Sequence, residues 1–144
     1  MEARGNQKFT LGFIFNPELT KVLLVHKEKP EWQKGKINGI GGKYEDGETA
    51  EQCISRETFE ESTLRIPSNE WTYVGTVHQE RGDFGVLAAT YAGPPQDAVK
   101  NDYEEIEWFK VGKLPANVIP NLQWLVPLAL YKLQNNFESF EVNY

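Results

Sequence analysis

The sequence predicts a single α+β layered domain. Short strand patterns and two helical patterns follow one another without the regular alternation of a repeated βαβ build. A length of 144 residues suits one domain with a real core. Apolar residues make up 40% of the chain and aromatics 12%, which is the composition of a folded globular protein. No repeat, low-complexity tract or linker divides residues 1–144.

The elements follow in order. Phe9–Phe15 reads as a strand, Asn16-Pro17-Glu18 as a turn and Lys21–Lys27 as a second strand, which together predict a hairpin. Glu28–Lys36 is a polar loop with Pro30, Trp32 and three lysines, Lys29, Lys34 and Lys36. Ile37–Ile40 is a short strand entering the double glycine Gly41-Gly42. A helix begins after Thr49, which serves as N-cap, and Gln52 three residues on completes a capping box. Ser68-Asn69 marks a loop. Trp71–Gln79 and Phe84–Tyr91 flank Glu80-Arg81-Gly82-Asp83 as a second hairpin. Gly93–Asp102 is a loop and Ile106–Lys110 a short strand. Asn121–Leu133 reads as a helix with Pro120 at its start, and Pro127 is expected to kink it or leave it irregular. Phe137–Val142 alternates loosely and predicts a last edge strand.

A net charge of −6 removes any general electrostatic reason to bind nucleic acid, although Lys29, Lys34 and Lys36 make a local basic loop. An acidic protein with an anionic substrate needs a metal ion or a local basic patch. Cys53 is the single cysteine, so no internal disulfide forms, and its place on an apolar helix face predicts a small core residue. The polar stretch Met1–Gln7 does not read as a leader, and no apolar run reaches transmembrane length. The expectation is a cytoplasmic protein with no membrane contact.

The most informative stretch runs from Gly41 to Leu64. At about 100° per residue, Glu57, Glu60 and Glu61 share a helix face with Ala50, Cys53 and Ile54. A face that should be buried therefore becomes acidic in its last turns. Like charges at these spacings repel, and half-buried carboxylates are costly. A hard cation with oxygen ligands removes both costs. The plainer alternative is a solvated glutamate-rich face, with Arg56 and Glu60 as an ordinary i,i+4 pair.

Spacing bears on that choice. Gly42, five residues, Glu48, seven residues, Arg56-Glu57, then Glu60-Glu61 and Leu64 resembles the Nudix box, G-x5-E-x7-R-E-U-x-E-E-x-G-U with U a bulky aliphatic. Thr58 departs from the pattern at the first aliphatic, and Thr63 at the last glycine, where a helix often exits through a left-handed residue. Over most of residues 8–142 the chain is similar to the MutT-like, oxidised-purine nucleoside triphosphate hydrolase branch. Thr10, Lys27 and Asn38 match positions that contact nucleotide there, and Trp108-Phe109, Leu114-Pro115, Ile119-Pro120 and Pro127 follow its layout.

The resemblance implies the Nudix fold, a mixed sheet sandwiched between helices. It implies Mg²⁺-dependent hydrolysis of a nucleoside diphosphate linked to X, most simply a (deoxy)nucleoside triphosphate, with Mn²⁺ able to substitute. The implied metal ligands are Glu57, Glu60, Glu61 and the Gly42 carbonyl, with Gly41 beside them at the substrate. One more ligand is expected from the loop before Trp108, where Glu104 and Glu105 are candidates and Glu105 is preferred. Glu57 and Glu60 are the catalytic candidates, with Arg56 orienting Glu48 or a box glutamate. Lys27 and Lys43 are expected at phosphate, and Thr10, Asn38 and Asn121 at the nucleoside. The mammalian enzymes carry Trp-Pro-Asp-Asp where this chain has Ile119-Pro120-Asn121-Leu122, so the acid pair that reads an oxidised purine is replaced. Open alternatives are another Nudix substrate (a dinucleoside polyphosphate, a nucleotide sugar or a capped RNA end) and a non-catalytic Nudix-fold nucleotide-binding module.

Overall fold

The structure is a computed structural model that describes residues 8–135 and 137–143. The stretch Met1–Gln7 lies outside them. Its strands are β1 Phe9–Phe15, β2 Lys21–His26, β3 Ile37–Asn38, β4 Ile40–Lys43, β5 Thr72–His78, β6 Phe84–Thr90, β7 Ile106–Lys110 and β8 Phe140–Asn143. Two α-helices, α1 Ala50–Ser62 and α2 Leu122–Asn135, complete the layers. The sheet runs β3-β2-β1-β6-β5-β8, with β4 also pairing β1 and β7 also pairing β2. β1/β6 and β5/β8 are parallel and the other pairs antiparallel, so the sheet is mixed.

Period-2 alternation in β1 divides the core. Phe13 and Phe15 turn to one face and join Leu24, Val86, Leu122 and Leu125 beneath α2. Ile14 turns to the other and joins Leu23, Ile40, Ile54 and Leu87 beneath α1. The sheet is thus apolar on both faces, and each helix buries one of them. Among the described residues, no helix is long and apolar enough to cross a membrane.

The capping box at Thr49 and Gln52 forms as its sequence predicts. The segment 37–40 is not one strand. It splits at Gly39, whose N–H donates to the Asn38 side chain at 2.8 Å. α2 continues on both sides of Pro127, which therefore does not end the helix. Leu122, Leu125, Val126 and Ala129 are all buried, and that packing outweighs the missing backbone donor. The last strand is shorter than its sequence pattern, beginning at Phe140.

The two departures in the helix motif have visible costs. Thr63 ends α1 with φ 61°, a left-handed conformation that a β-branched residue rarely adopts. Thr58 is fully buried, and its Oγ1 has no hydrogen-bond partner among the described residues. Thr63→Gly should therefore relieve backbone strain, and Thr58→Val should remove an orphaned hydroxyl at nearly constant volume. Each should stabilise by about 1 kcal/mol, read as a higher urea midpoint at unchanged m-value.

Candidate active site

The site forms at the end of the sheet where β1 begins and β2, β4 and β5 end. Antiparallel pairing sets Thr10 opposite Gly42 and Leu11 opposite Gly41. A Cβ on Gly41 would lie 2.0 Å from the Thr10 carbonyl oxygen. A Cβ on Gly42 would lie 2.2 Å from Glu57 Oε2. Only the absence of side chains lets the end of β4 slide between β1 and the Glu57 carboxylate.

Glu57 and Glu61 lie one turn apart on α1 and face each other. Burial raises both carboxyls above their usual range. Glu61 is pushed up to about 9, first by burial, then by its hydrogen bond to Glu57 and the charge there; Lys27 opposes this rise. Without a cation, Glu61 keeps a proton and donates it to Glu57. Glu61 Oε1 is closed off from solvent and has no hydrogen-bond partner among the described residues.

Glu104 joins this pair from the loop before β7. Only 7% exposed, it accepts the Glu28 N–H at 2.7 Å and sits 3.3 Å from Lys27 Nζ. Its charge is one of those that raise Glu61. Glu105, preferred from the sequence, is 70% exposed and pairs with Lys100 at 3.8 Å. The strand explains the exchange. Glu104 shares its side of the chain with half-buried Ile106, whereas Glu105 alternates outward with exposed Glu107. That alternation was available in the sequence.

Arg56 organises the rest. Its Nε and Nη2 donate to the two oxygens of Glu48 at 2.7 and 3.0 Å. Nη2 also donates to the Lys43 carbonyl at 3.0 Å, and Nη1 to Glu57 at 3.1 Å. This fork ties β4 to α1, and Arg56 is a positioning residue. The Arg56 guanidinium holds the Glu48 carboxyl below its usual value. Glu60 is 52% exposed and pairs with Arg56 at 3.3 Å, on the rim of the site, where its charge adds to the rise of Glu57.

The remaining sequence-predicted residues divide. Lys27 stands at the acidic cluster. Thr10 is buried beneath β4, 3.2 Å from Cys53 Sγ and 3.4 Å from the Gly42 oxygen, so it supports the glycine turn from below. Cys53 is a core thiol, pushed up to about 11 by burial. The Lys43 side chain is exposed while its carbonyl serves Arg56. Asn38 donates to Gln33 Oε1 at 2.9 Å. Asn121 heads α2, buried, and its Oδ1 has no donor among the described residues. Sequence reasoning missed Gln33 and also Asn101, whose Oδ1 accepts the Tyr103 and Glu104 N–H groups at 2.9 and 3.0 Å.

This arrangement fits a hard cation. Glu61 offers a buried, unpartnered oxygen, Glu57 is pressed against the Gly42 backbone, and all the donors are oxygen. Among the described residues, no three acidic, histidine or cysteine side chains already converge on a single point. The carboxyls instead share a proton, as a cation site does when protons take the place of the ion.

The NUDIX domain family model matches residues 7–128, so the chain belongs to the Nudix family, as a Nudix hydrolase. It is 33% identical over 132 residues to the oxidized purine nucleoside triphosphate hydrolase of Danio rerio, covering 85% of this chain and 79% of that one. The Mus musculus protein of the same name is 31% identical over 134 residues, covering 86% and 80%. Among solved structures, the NUDIX domain of Shewanella oneidensis NrtR complexed with ADP ribose superposes with a TM-score of 0.69. That match has 18% identity and covers 89% of this chain and 88% of that one, a likeness of fold.

The raised Glu61 carboxyl makes stability pH-dependent when no cation is present. Between the ordinary carboxylate value near 4.5 and about 9, the folded state holds a proton that the unfolded chain has lost. Protons then favour the folded state, so stability in EDTA should fall as pH rises through that window. Urea midpoints measured across it should show the decline, and Glu61→Gln should flatten it.

Proposed function

We propose that the chain is a Mg²⁺-dependent pyrophosphohydrolase of nucleoside diphosphates linked to X, acting on (deoxy)nucleoside triphosphates, with Mn²⁺ able to replace Mg²⁺. The observation that carries this reading is the buried Glu57–Glu61 pair against Gly42, with Glu104 and Lys27 beside it. Glu57, Glu61 and the Gly42 carbonyl would hold the ion, with Glu104 as the ligand from outside the helix and Glu60 at the solvent edge. When bound, the ion neutralises phosphate oxygens and lowers the pKa of a bound water.

The chain's own residues do the rest. Arg56 locks Glu48, Glu57 and the Lys43 carbonyl into one frame. Lys27 offers a cation to phosphate at the cost of loosening its pair with Glu104. In the hydrolysis, the water oxygen bonds to phosphorus and the bridging P–O bond breaks. The leaving oxygen takes the electron pair, and the water proton passes to a carboxylate of the cluster.

For the nucleoside, Asn121 supplies an unpartnered buried acceptor, and Leu122, next to it, has no polar atom. A site without the second acid lacks the buried partner on which strong discrimination depends. The proposed enzyme therefore hydrolyses normal and oxidised purine nucleotides comparably. Expression is proposed in the cytoplasm.

Two measurements test this. Glu61→Gln should keep the fold and lose turnover on the order of a hundredfold, and EDTA should abolish activity. Undiminished turnover in either case contradicts the mechanism. Steady-state comparison of dGTP with its oxidised form should give kcat/KM values well within a hundredfold of each other. A larger preference, worth over roughly 2.7 kcal/mol, would show that other residues replace the acid pair.

A further inference from the structure

The loop that brings Glu104 to the cluster is docked on the last turn of α1. A helix cannot satisfy its final carbonyls from its own ladder. Here the loop between β6 and β7 serves two of them. The Val99 N–H donates to the Ser62 carbonyl at 2.8 Å, and Asn101 Nδ2 donates to the Glu60 carbonyl at 3.4 Å. Thr63, just past the helix, donates from its Oγ1 to the Asp97 carbonyl at 3.3 Å. The turn so clamped is the one that carries Glu60 and Glu61.

Of these residues, Asn101 also holds Glu104. Its Oδ1 accepts the Tyr103 and Glu104 N–H groups at 2.9 and 3.0 Å. Two N–H donors require an oxygen before them, so the amide NH₂ is left to face α1. One half-buried side chain therefore joins the peptide group ahead of Glu61 to the amide of Glu104. Glu61 and Glu104 are also the acids that meet across the two elements, since the Glu104 charge is felt at Glu61. The Glu104 backbone is fixed by Asn101, and its carboxylate by the Glu28 N–H at 2.7 Å.

We propose that Asn101 is a positioning residue that sets the separation of Glu61 and Glu104, and that this separation makes the cluster select the small cation Mg²⁺ over the larger Ca²⁺. The inference rests on the function proposed above and adds how the site chooses its ion. Glu57 and Glu61 share one helix and keep their spacing whatever the loop does. Glu104 comes from a loop, and its approach is set by what ties that loop to the helix. Mg²⁺ takes oxygens at about 2.0–2.1 Å in a near-ideal octahedron, whereas Ca²⁺ accepts a looser shell at about 2.3–2.6 Å. Pinned at one distance, the third carboxylate discriminates between them. Released, it opens the site to the larger ion.

The test is calorimetric titration of the substrate-free protein with Mg²⁺ and with Ca²⁺. The wild type should bind Mg²⁺ more tightly. Asn101→Ala should weaken Mg²⁺ binding about tenfold and leave Ca²⁺ within about twofold. Asn101→Ser keeps a local hydroxyl for the turn but is too short to span to α1, so it should do the same, and it serves if the alanine variant does not fold. Because Asn101 acts through Glu104, adding Asn101→Ala to Glu104→Gln should weaken Mg²⁺ no further. Thr63→Gly removes a clamp on the same loop that does not touch Glu104, and should leave the ratio of affinities unchanged. Equal losses for both ions, no loss for either, additive losses in the double variant, or a changed ratio in Thr63→Gly would each overturn the inference. So would a wild type without preference for Mg²⁺, or one that binds neither ion. If hydrolysis also persists in EDTA, the function proposed above falls as well, an outcome distinct from an Asn101 variant that keeps wild-type selectivity.

Discussion

Two carboxylates, Glu57 and Glu61, are held face to face inside the protein, and the rest of the site depends on how that repulsion is relieved. Burial drives both toward protonation, and Glu61, which also meets the Glu57 charge, is pushed up to about 9. Left as anions, they would cost the fold more than a helix of this length can return. A shared proton is one remedy, and a divalent cation is the other. The phosphate chain of the proposed substrate would need the second, because an acidic protein otherwise repels an anion.

The surrounding structure maintains this arrangement. Gly42 brings backbone against Glu57 where a Cβ would collide. Thr10 and Cys53 support that turn from below. Arg56 cross-links Glu48, Glu57 and β4, so α1 cannot shift without breaking several charge-assisted bonds at once. Glu104 closes the third side and, through the Glu28 and Lys29 amides, fastens the loop that carries Trp32. The buried carboxylates, Lys27 and the loop that carries Trp32 are therefore one connected unit.

Much of this was legible in the sequence, for physical reasons. The helix with its capping box, the paired glycines and the glutamate spacing are local features, and local sequence determines them. Helical periodicity placed Glu60 with its neighbours, but the face is only partly covered, and Glu60 lies at the edge where solvent begins. Glu104 was distinguishable from Glu105 by strand alternation. Its partners, the Glu28 and Lys29 amides, are remote in sequence and left no local sign. Thr10 read as a substrate contact because its strand position matched, but the register against Gly42 turns it beneath β4. Pro127 shows the same limit from the other side: a local breaker was overruled by the buried face of its helix.

The central claim is that the Glu57–Glu61 pair is built for a cation. Thermal unfolding at pH 7.5 with and without millimolar Mg²⁺ or Mn²⁺, substrate absent, tests it most directly. Binding to the native state alone raises Tm by mass action, so the wild type should melt higher with metal and Glu61→Gln should shift little. An unchanged wild-type Tm at saturating metal, or an equal shift in Glu61→Gln, would contradict the account.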